Sequence, residues 1–250
     1  MIRNRARPKR PSDPRLKRTP TKPAIAGNVK ATRGDWLNAA LGALISDGVD
    51  SVRVLTLSQK LGVSRSSFYW YFKSRADLLD QLLAYWREKN TRFVVEHARL
   101  PAANVTRGVI NIFKCWVDDS LFDPRLDFAI RSWAMLSKKV RKIIRQADEE
   151  RVAAICEMFR RHGYEAEDAF IRARVLYFTQ IGYYALDLRE PMESRLSHVP
   201  AYLRSSTGCE PEPEDIAEFR TYVEDRFARV SAPAFGGVRR TSPGAPIDPG

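Results

Sequence analysis

Between positions 32 and 230 the apolar residues recur at three- and four-residue spacings. No run of alternating β-branched residues is long enough for a strand, so the pattern predicts an all-α chain. Thr32 and Asp35 have the spacing of a capping box, and Trp36, Leu37, Ala40, Leu41, Leu44 and Ile45 continue a helix that stops near Asp47-Gly48. A short second helix, about Leu55 to Leu61, ends at Gly62, a residue that takes a left-handed conformation without a Cβ penalty. Ser64 is then placed to cap a third helix from Arg65 to about Phe72. Lys73-Ser74 interrupts before a long amphipathic fourth helix carrying Leu78, Leu79, Leu82, Leu83, Trp86 and Phe93, and Pro101 closes the unit. Further helices are predicted near 103–119, 124–136, 138–162, 166–188 and 212–230, separated by Asp123-Pro124, Gly163 and a loop from Pro191 to Pro213.

Charge changes this picture at the ends. The 250 residues hold 42 Lys and Arg against 30 Asp and Glu, a formal net charge of +12, and residues 1–31 alone hold ten basic residues, one acid and five prolines. That segment lacks the large apolar residues a core needs and reads as a disordered basic arm; residues 231–250, rich in Pro and Gly, read as a flexible tail. A basic arm beside a folded module suits phosphate binding with counterion release, while a solubility tail or a targeting signal fits the composition equally. No apolar run approaches the roughly 18 residues of a membrane span, and three scattered cysteines (Cys115, Cys156 and Cys209) form neither a zinc spacing nor an even disulfide framework. A cytoplasmic protein without a membrane partner is expected.

The segment from Leu57 to Phe72 reads as helix, glycine turn, helix, the arrangement that presents a helix to the DNA major groove. Leu57, Leu61, Val63, Phe68 and Phe72 have the spacing to pack on the first helix. Arg65, Ser66, Ser67, Tyr69, Trp70 and Tyr71 then fall largely on other faces, and adjacent exposed aromatics are better explained by a partner than by the chain's own core. Ser64 and the backbone N–H groups behind it can hold a phosphate and Tyr69 can donate to another. Arg65 can pair with guanine, Ser66 and Ser67 can reach base edges, and Trp70 can cover a thymine methyl. Lys73 and Arg75 follow as backbone contacts, and Thr32 and Arg53 at the starts of the first two helices complete the candidate set.

Over about Thr32 to Leu83 the chain resembles the TetR family of bacterial transcriptional regulators, most specifically at Gly62-Val63-Ser64 and from Ser67 to Arg75. The resemblance implies a helix-turn-helix DNA-binding domain at 32–76 followed by a helical ligand-binding and dimerisation domain at 77–230. It also implies a homodimeric repressor that a small-molecule effector releases from a palindromic operator. Two departures stand out: Arg53 occupies the place where the family usually begins its second helix with Thr, and Leu55 stands where a polar residue is common.

Among the later aromatics, Trp86, Phe113, Trp116, Phe128, Trp133 and Tyr177 are candidates to line the implied effector pocket, with ordinary core packing as the alternative for each. Phe170, Ile181 and Tyr184 on one stripe, and Phe219 and Val223 on another, are candidates for a four-helix contact with a second subunit. No catalytic motif, cofactor loop or metal-ligand set is apparent, so an enzyme is not expected. The competing reading is an architectural DNA-binding protein without effector control.

Overall fold

Thr32 opens the first helix as its spacing demands: its hydroxyl accepts from the Asp35 backbone N–H, and the Asp35 carboxylate accepts from the Thr32 backbone N–H in return. The computed structural model describes residues 31–231 except 187 and 189, so the expected basic arm and the C-terminal tail fall outside the described residues, apart from Ala31 and Ser231. Helix α1 (Arg33–Asp47) is followed by a single 3-10 turn and α2 (Val54–Leu61). At the end of α2, Gly62 takes φ 67°, its N–H donates to the Gln59 carbonyl, and the Val63 N–H reaches back to that of Ser58. These two bonds form a Schellman motif that turns the chain sharply.

The expected third α-helix is instead a six-residue 3-10 segment, Arg65–Trp70. Its serines explain the difference. The Ser67 hydroxyl donates to the Ser64 carbonyl, while Ser64 and Ser66 pair through their hydroxyls, so these side chains compete with α-helical backbone bonding and Ser64 does not cap the segment. A long helical rod follows, made of α3 (Arg75–Trp86), six residues with π-helical bonding (Arg87–Arg92) and α4 (Phe93–Arg99). The remaining helices are α5 (Val105–Val117), α6 (Pro124–Leu136), α7 (Lys138–Arg161), α8 (Ala166–Ala185), α9 (Met192–Thr207) and α10 (Pro213–Ser231). No strand occurs among the described residues.

Helix α9 overturns the predicted Pro191–Pro213 loop. Pro200 lies inside it and lacks the backbone N–H that a helix interior uses, a defect that reads as a breaker in sequence. Leu196, Val199, Leu203 and Thr207 nevertheless recur at helical spacing and are buried. Burying each large apolar side chain contributes roughly 1.5–3 kcal/mol, enough together to outweigh a proline cost of about 3 kcal/mol.

Two apolar cores result. One joins α1, α2, the 3-10 segment and α3 to α6 and the first half of α7, through Trp36, Leu57, Phe68, Phe72, Leu82, Ile130 and Ile144 among others. The other joins α4, α5, the second half of α7, α8, α9 and α10. Between them lies a buried polar cluster. Arg151, fully buried, donates to Thr91, Asp127 and the Tyr177 hydroxyl; Arg131 binds both Asp127 and Asp148. Thr91, together with Asn90, whose amide bonds the Asp123 backbone, points inward from the π-helical turn. The widened turn therefore coincides with the place where the rod directs polar side chains into the protein.

Candidate nucleic-acid interface and interior cavity

The 3-10 segment is held by its own aromatic residues. Phe68 meets Trp36 edge-on at 5.2 Å and stacks with Phe72 at 5.1 Å, and all three are buried. With Phe68 committed inward, its neighbours Tyr69 and Trp70 are turned out, 61% and 70% exposed. Arg65, Ser66 and Lys73 are also exposed, whereas Tyr71 is half-buried against the N-terminal core. Ser67 departs from expectation: it is buried and its hydroxyl is spent on the Ser64 carbonyl, so it is not presented to a base edge.

Arg75, exposed and expected as a backbone contact, also braces the fold. Its Nε donates to the Val52 carbonyl at 2.6 Å and its Nη2 to that of Val49 at 2.7 Å, so the guanidinium clamps the turn between α1 and α2. Thr32 is engaged in the capping box and Arg53 stands at the α2 N-cap, its Nε on the Asp50 carbonyl. Sequence reasoning passed over Thr56, which lies exposed in the first turn of α2, a turn with no side-chain cap. The electrostatics are one-sided, because from Ser51 to Ala76 there are five basic residues and no acid. Asp50 and Asp77 bound the stretch, and Asp77 is held below the ordinary carboxylate range by hydrogen bonds from the Gln81 side chain and the Lys73 backbone N–H.

Of the six aromatics expected around a pocket, two line one. A cavity of about 200 Å³ lies among α5, α8, α9 and α10, with Phe113 and Trp116 in its wall beside Leu196, Val199 and Phe219. The others are placed elsewhere by their partners. Trp86 donates its indole N–H to Asp127 under the Arg151 guanidinium, and Tyr177 receives Arg151 and Arg131 while donating to Asp148; both belong to the buried polar cluster. Phe128 is half exposed on α6, and Trp133 packs against the N-terminal core. Trp116 Nε1 and Gln180 Nε2, on residues of the cavity wall, are buried without a hydrogen-bond partner. The latter approaches the Tyr184 hydroxyl, which donates to the Trp116 carbonyl, without reaching hydrogen-bond geometry.

The residues expected at a subunit contact are not all on the surface. Phe219 and Val223 are buried within the chain, because α10 packs inward on α5, where Phe219 meets Phe113 at 6.2 Å between ring centres, with α9 alongside. Tyr184 stacks on Phe122, and Ile181 is half-buried against the same core. Phe170 remains exposed, and it is joined on α8 by Ile171, Val175 and Phe178, with Arg174 lying over the Phe170 and Phe178 rings.

Residues 37–82 match the bacterial regulatory proteins of the tetR family. Over 59 residues the chain is 32% identical to the uncharacterized HTH-type transcriptional regulator TtgW of Pseudomonas putida; the matched stretch is 24% of this chain and 44% of that protein's length. Among solved structures it resembles Mycobacterium smegmatis AmtR, at a TM-score of 0.54 and 16% identity, covering 84% of this chain and 98% of that one. Salmonella enterica GusR aligns at a TM-score of 0.50 and 16% identity, covering 78% and 95%. At such identities these two likenesses speak for the fold. Residues 37–82 are thus similar to the tetR-family segment of bacterial regulatory proteins, and the described fold is one that these two solved structures share.

Proposed function

We propose that this chain is a homodimeric transcriptional repressor of the bacterial cytoplasm, binding a palindromic DNA operator through Arg65–Lys73 and released by a small molecule. The observation that carries this reading is the pair Tyr69 and Trp70, exposed on a rigidly seated segment inside an acid-free basic stretch. Exposed aromatics cost free energy in water and gain it against sugars and thymine methyls. Arg65 and Ser66 are the exposed side chains beside them for reading bases, and Lys73, Arg53 and Thr56 surround them for phosphates. Dimerisation is assigned to the apolar α8 face around Phe170, Val175 and Phe178, and effector binding to the cavity walled by Phe113 and Trp116.

The test is selection of genomic fragments by the purified protein, with the mass of the resulting complex measured by sedimentation. One enriched palindrome bound by two chains is expected. Featureless enrichment would point to the architectural role, and one chain per site would remove the dimer.

A further inference from the structure

We propose that the first two turns of α7 form a second DNA contact, a basic stripe of Lys138, Arg141, Lys142 and Arg145 that binds the phosphate backbone of a duplex beyond the Arg65–Lys73 segment. This rests on the reading of the chain as a DNA-binding regulator and adds a surface to it.

Helical spacing builds the stripe. Its four members lie three and four residues apart and so share one face, opposite the buried Val140, Ile144 and Ala147. All four are exposed, and no acid occurs between Asp127 and Asp148. Like charges at these spacings repel, and the positive end of the helix dipole disfavours cations in a first turn that here holds no acid. Local partners relieve little of this. Lys139, beside the stripe, pairs with Asp80, and Arg141 donates to the Met135 carbonyl. Lys138, Lys142 and Arg145 have no side-chain hydrogen bond or ion pair among the described residues. An arrangement that repels itself in the free chain becomes favourable against a polyanion, whose phosphates release counterions to it.

The place of the stripe in the fold favours DNA as that polyanion. Val140, Ile144 and Ala147 share one core with Phe68 and Phe72, and Lys139 reaches across to Asp80 of α3, so the body that seats the exposed Tyr69 and Trp70 also carries the stripe. From Lys138 to Arg145 the stripe is about 10 Å long at 1.5 Å per residue, enough to follow about three phosphates of one strand. Met135 and Leu136, exposed in the preceding turn, give the patch an apolar tip that also suits an anionic lipid surface, and the experiment separates that outcome.

The experiment titrates the full chain with a scrambled 30-base-pair duplex by fluorescence anisotropy between 50 and 200 mM salt. The variant is Lys138→Gln/Lys142→Gln, because Arg141 and Arg145 also line the groove beside Phe170 and Phe178, the face assigned to dimerisation. At about 0.9 per phosphate, the slope of log affinity against log salt should fall by about 2, and affinity at 100 mM salt by at least about tenfold. Lys142→Gln alone should lower the slope by about 1. Arg99→Gln/Arg204→Gln removes the same charge from exposed positions on α4 and α9, and should cost less than about threefold. The melting temperature of the stripe variant should be unchanged or higher, since a self-repelling pair is gone. An unchanged slope, or an equal loss in the Arg99 and Arg204 variant, overturns the proposal. Phosphatidylglycerol vesicles that bind the unmodified protein and not the stripe variant, with the DNA slope unchanged, would assign the stripe to a membrane instead. A stripe-dependent slope without preference for any palindrome would remove the operator reading and leave the stripe standing, whereas no duplex binding by the unmodified protein overturns both.

Discussion

Arg75 and Lys73 lie two positions apart in one basic stretch and do different work. Lys73 is solvent-exposed, and its charge is free to neutralise a phosphate, whereas the Arg75 guanidinium spans two carbonyls across more than twenty residues of chain. Lys73→Ala should weaken all DNA sequences about equally and reduce the salt slope of binding by about 1, with stability unchanged within about 0.5 kcal/mol. Arg75→Ala should lower stability to urea by about 1.5–3 kcal/mol, the worth of hydrogen bonds from a charged donor. Salt-dependent anisotropy titrations beside urea melts separate the two. An unchanged melt for Arg75→Ala would return it to the phosphate contacts. Ser67 teaches a similar lesson: serine composition shows a hydroxyl, and only the fold shows that a carbonyl three residues away has taken it.

Among the elements, local chemistry was readable where a few adjacent residues decide the outcome. The Thr32-Asp35 box and the Gly62 turn appear where their spacing put them, because both are satisfied within a handful of residues. Helix α9 was hidden because Pro200 is a local defect that only distant partners on α5, α8 and α10 compensate. The 3-10 segment was hidden for the converse reason, since serine hydroxyls locally redirect backbone bonding that apolar periodicity suggested would be α-helical. Two substitutions test this. Pro200→Ala should stabilise the protein by up to about 3 kcal/mol by returning an N–H to the helix interior. Gly62→Ala should destabilise by about 1–2 kcal/mol, because φ 67° crowds any Cβ. Urea unfolding reads both; a destabilised Pro200→Ala would mean that the proline ring itself contributes packing that outweighs the missing N–H.

In the molecule as a whole, the DNA-binding helices do not form a separate core: they share one with α6 and α7. The polar cluster around Arg151 lies where that core meets the other. Nothing in the sequence pattern announced a fully buried arginine, since its partners come from α4's π-helical approach, α6, α7 and α8. Burial alone would raise the pKa of Asp127, but Arg151 and Arg131 beside it, with hydrogen bonds from Arg131 and Trp86, hold it below its ordinary 3.8. A carboxylate depressed in the folded state contributes stability that is present above the unfolded value and lost as pH falls through the folded one. Stability should therefore fall as pH drops below about 4. Arg151→Met should cost about 3 kcal/mol at neutral pH by leaving the buried Asp127 and its neighbour Asp148 to share the single Arg131 guanidinium, and should move acid unfolding to higher pH. Asp127→Asn/Arg151→Met should recover part of the loss. Urea melts across pH check each, and a pH-independent loss in Arg151→Met would contradict the ionic account.

If Tyr69 and Trp70 are exposed in order to read DNA, their removal must be felt on one sequence and hardly at all on another. The deciding comparison is the affinity of the unmodified protein and of Tyr69→Ala/Trp70→Ala for the selected palindrome and for a scrambled duplex of equal length, at one fixed salt concentration. Loss of two specific contacts worth about 1–3 kcal/mol each predicts at least a thirtyfold fall on the palindrome. A fall of less than about threefold is expected on the scrambled duplex, where phosphates set the affinity, with the melting temperature unchanged within a few degrees. Equal affinity of the two proteins for the palindrome, or the same loss on both duplexes, would contradict a reading role for this pair.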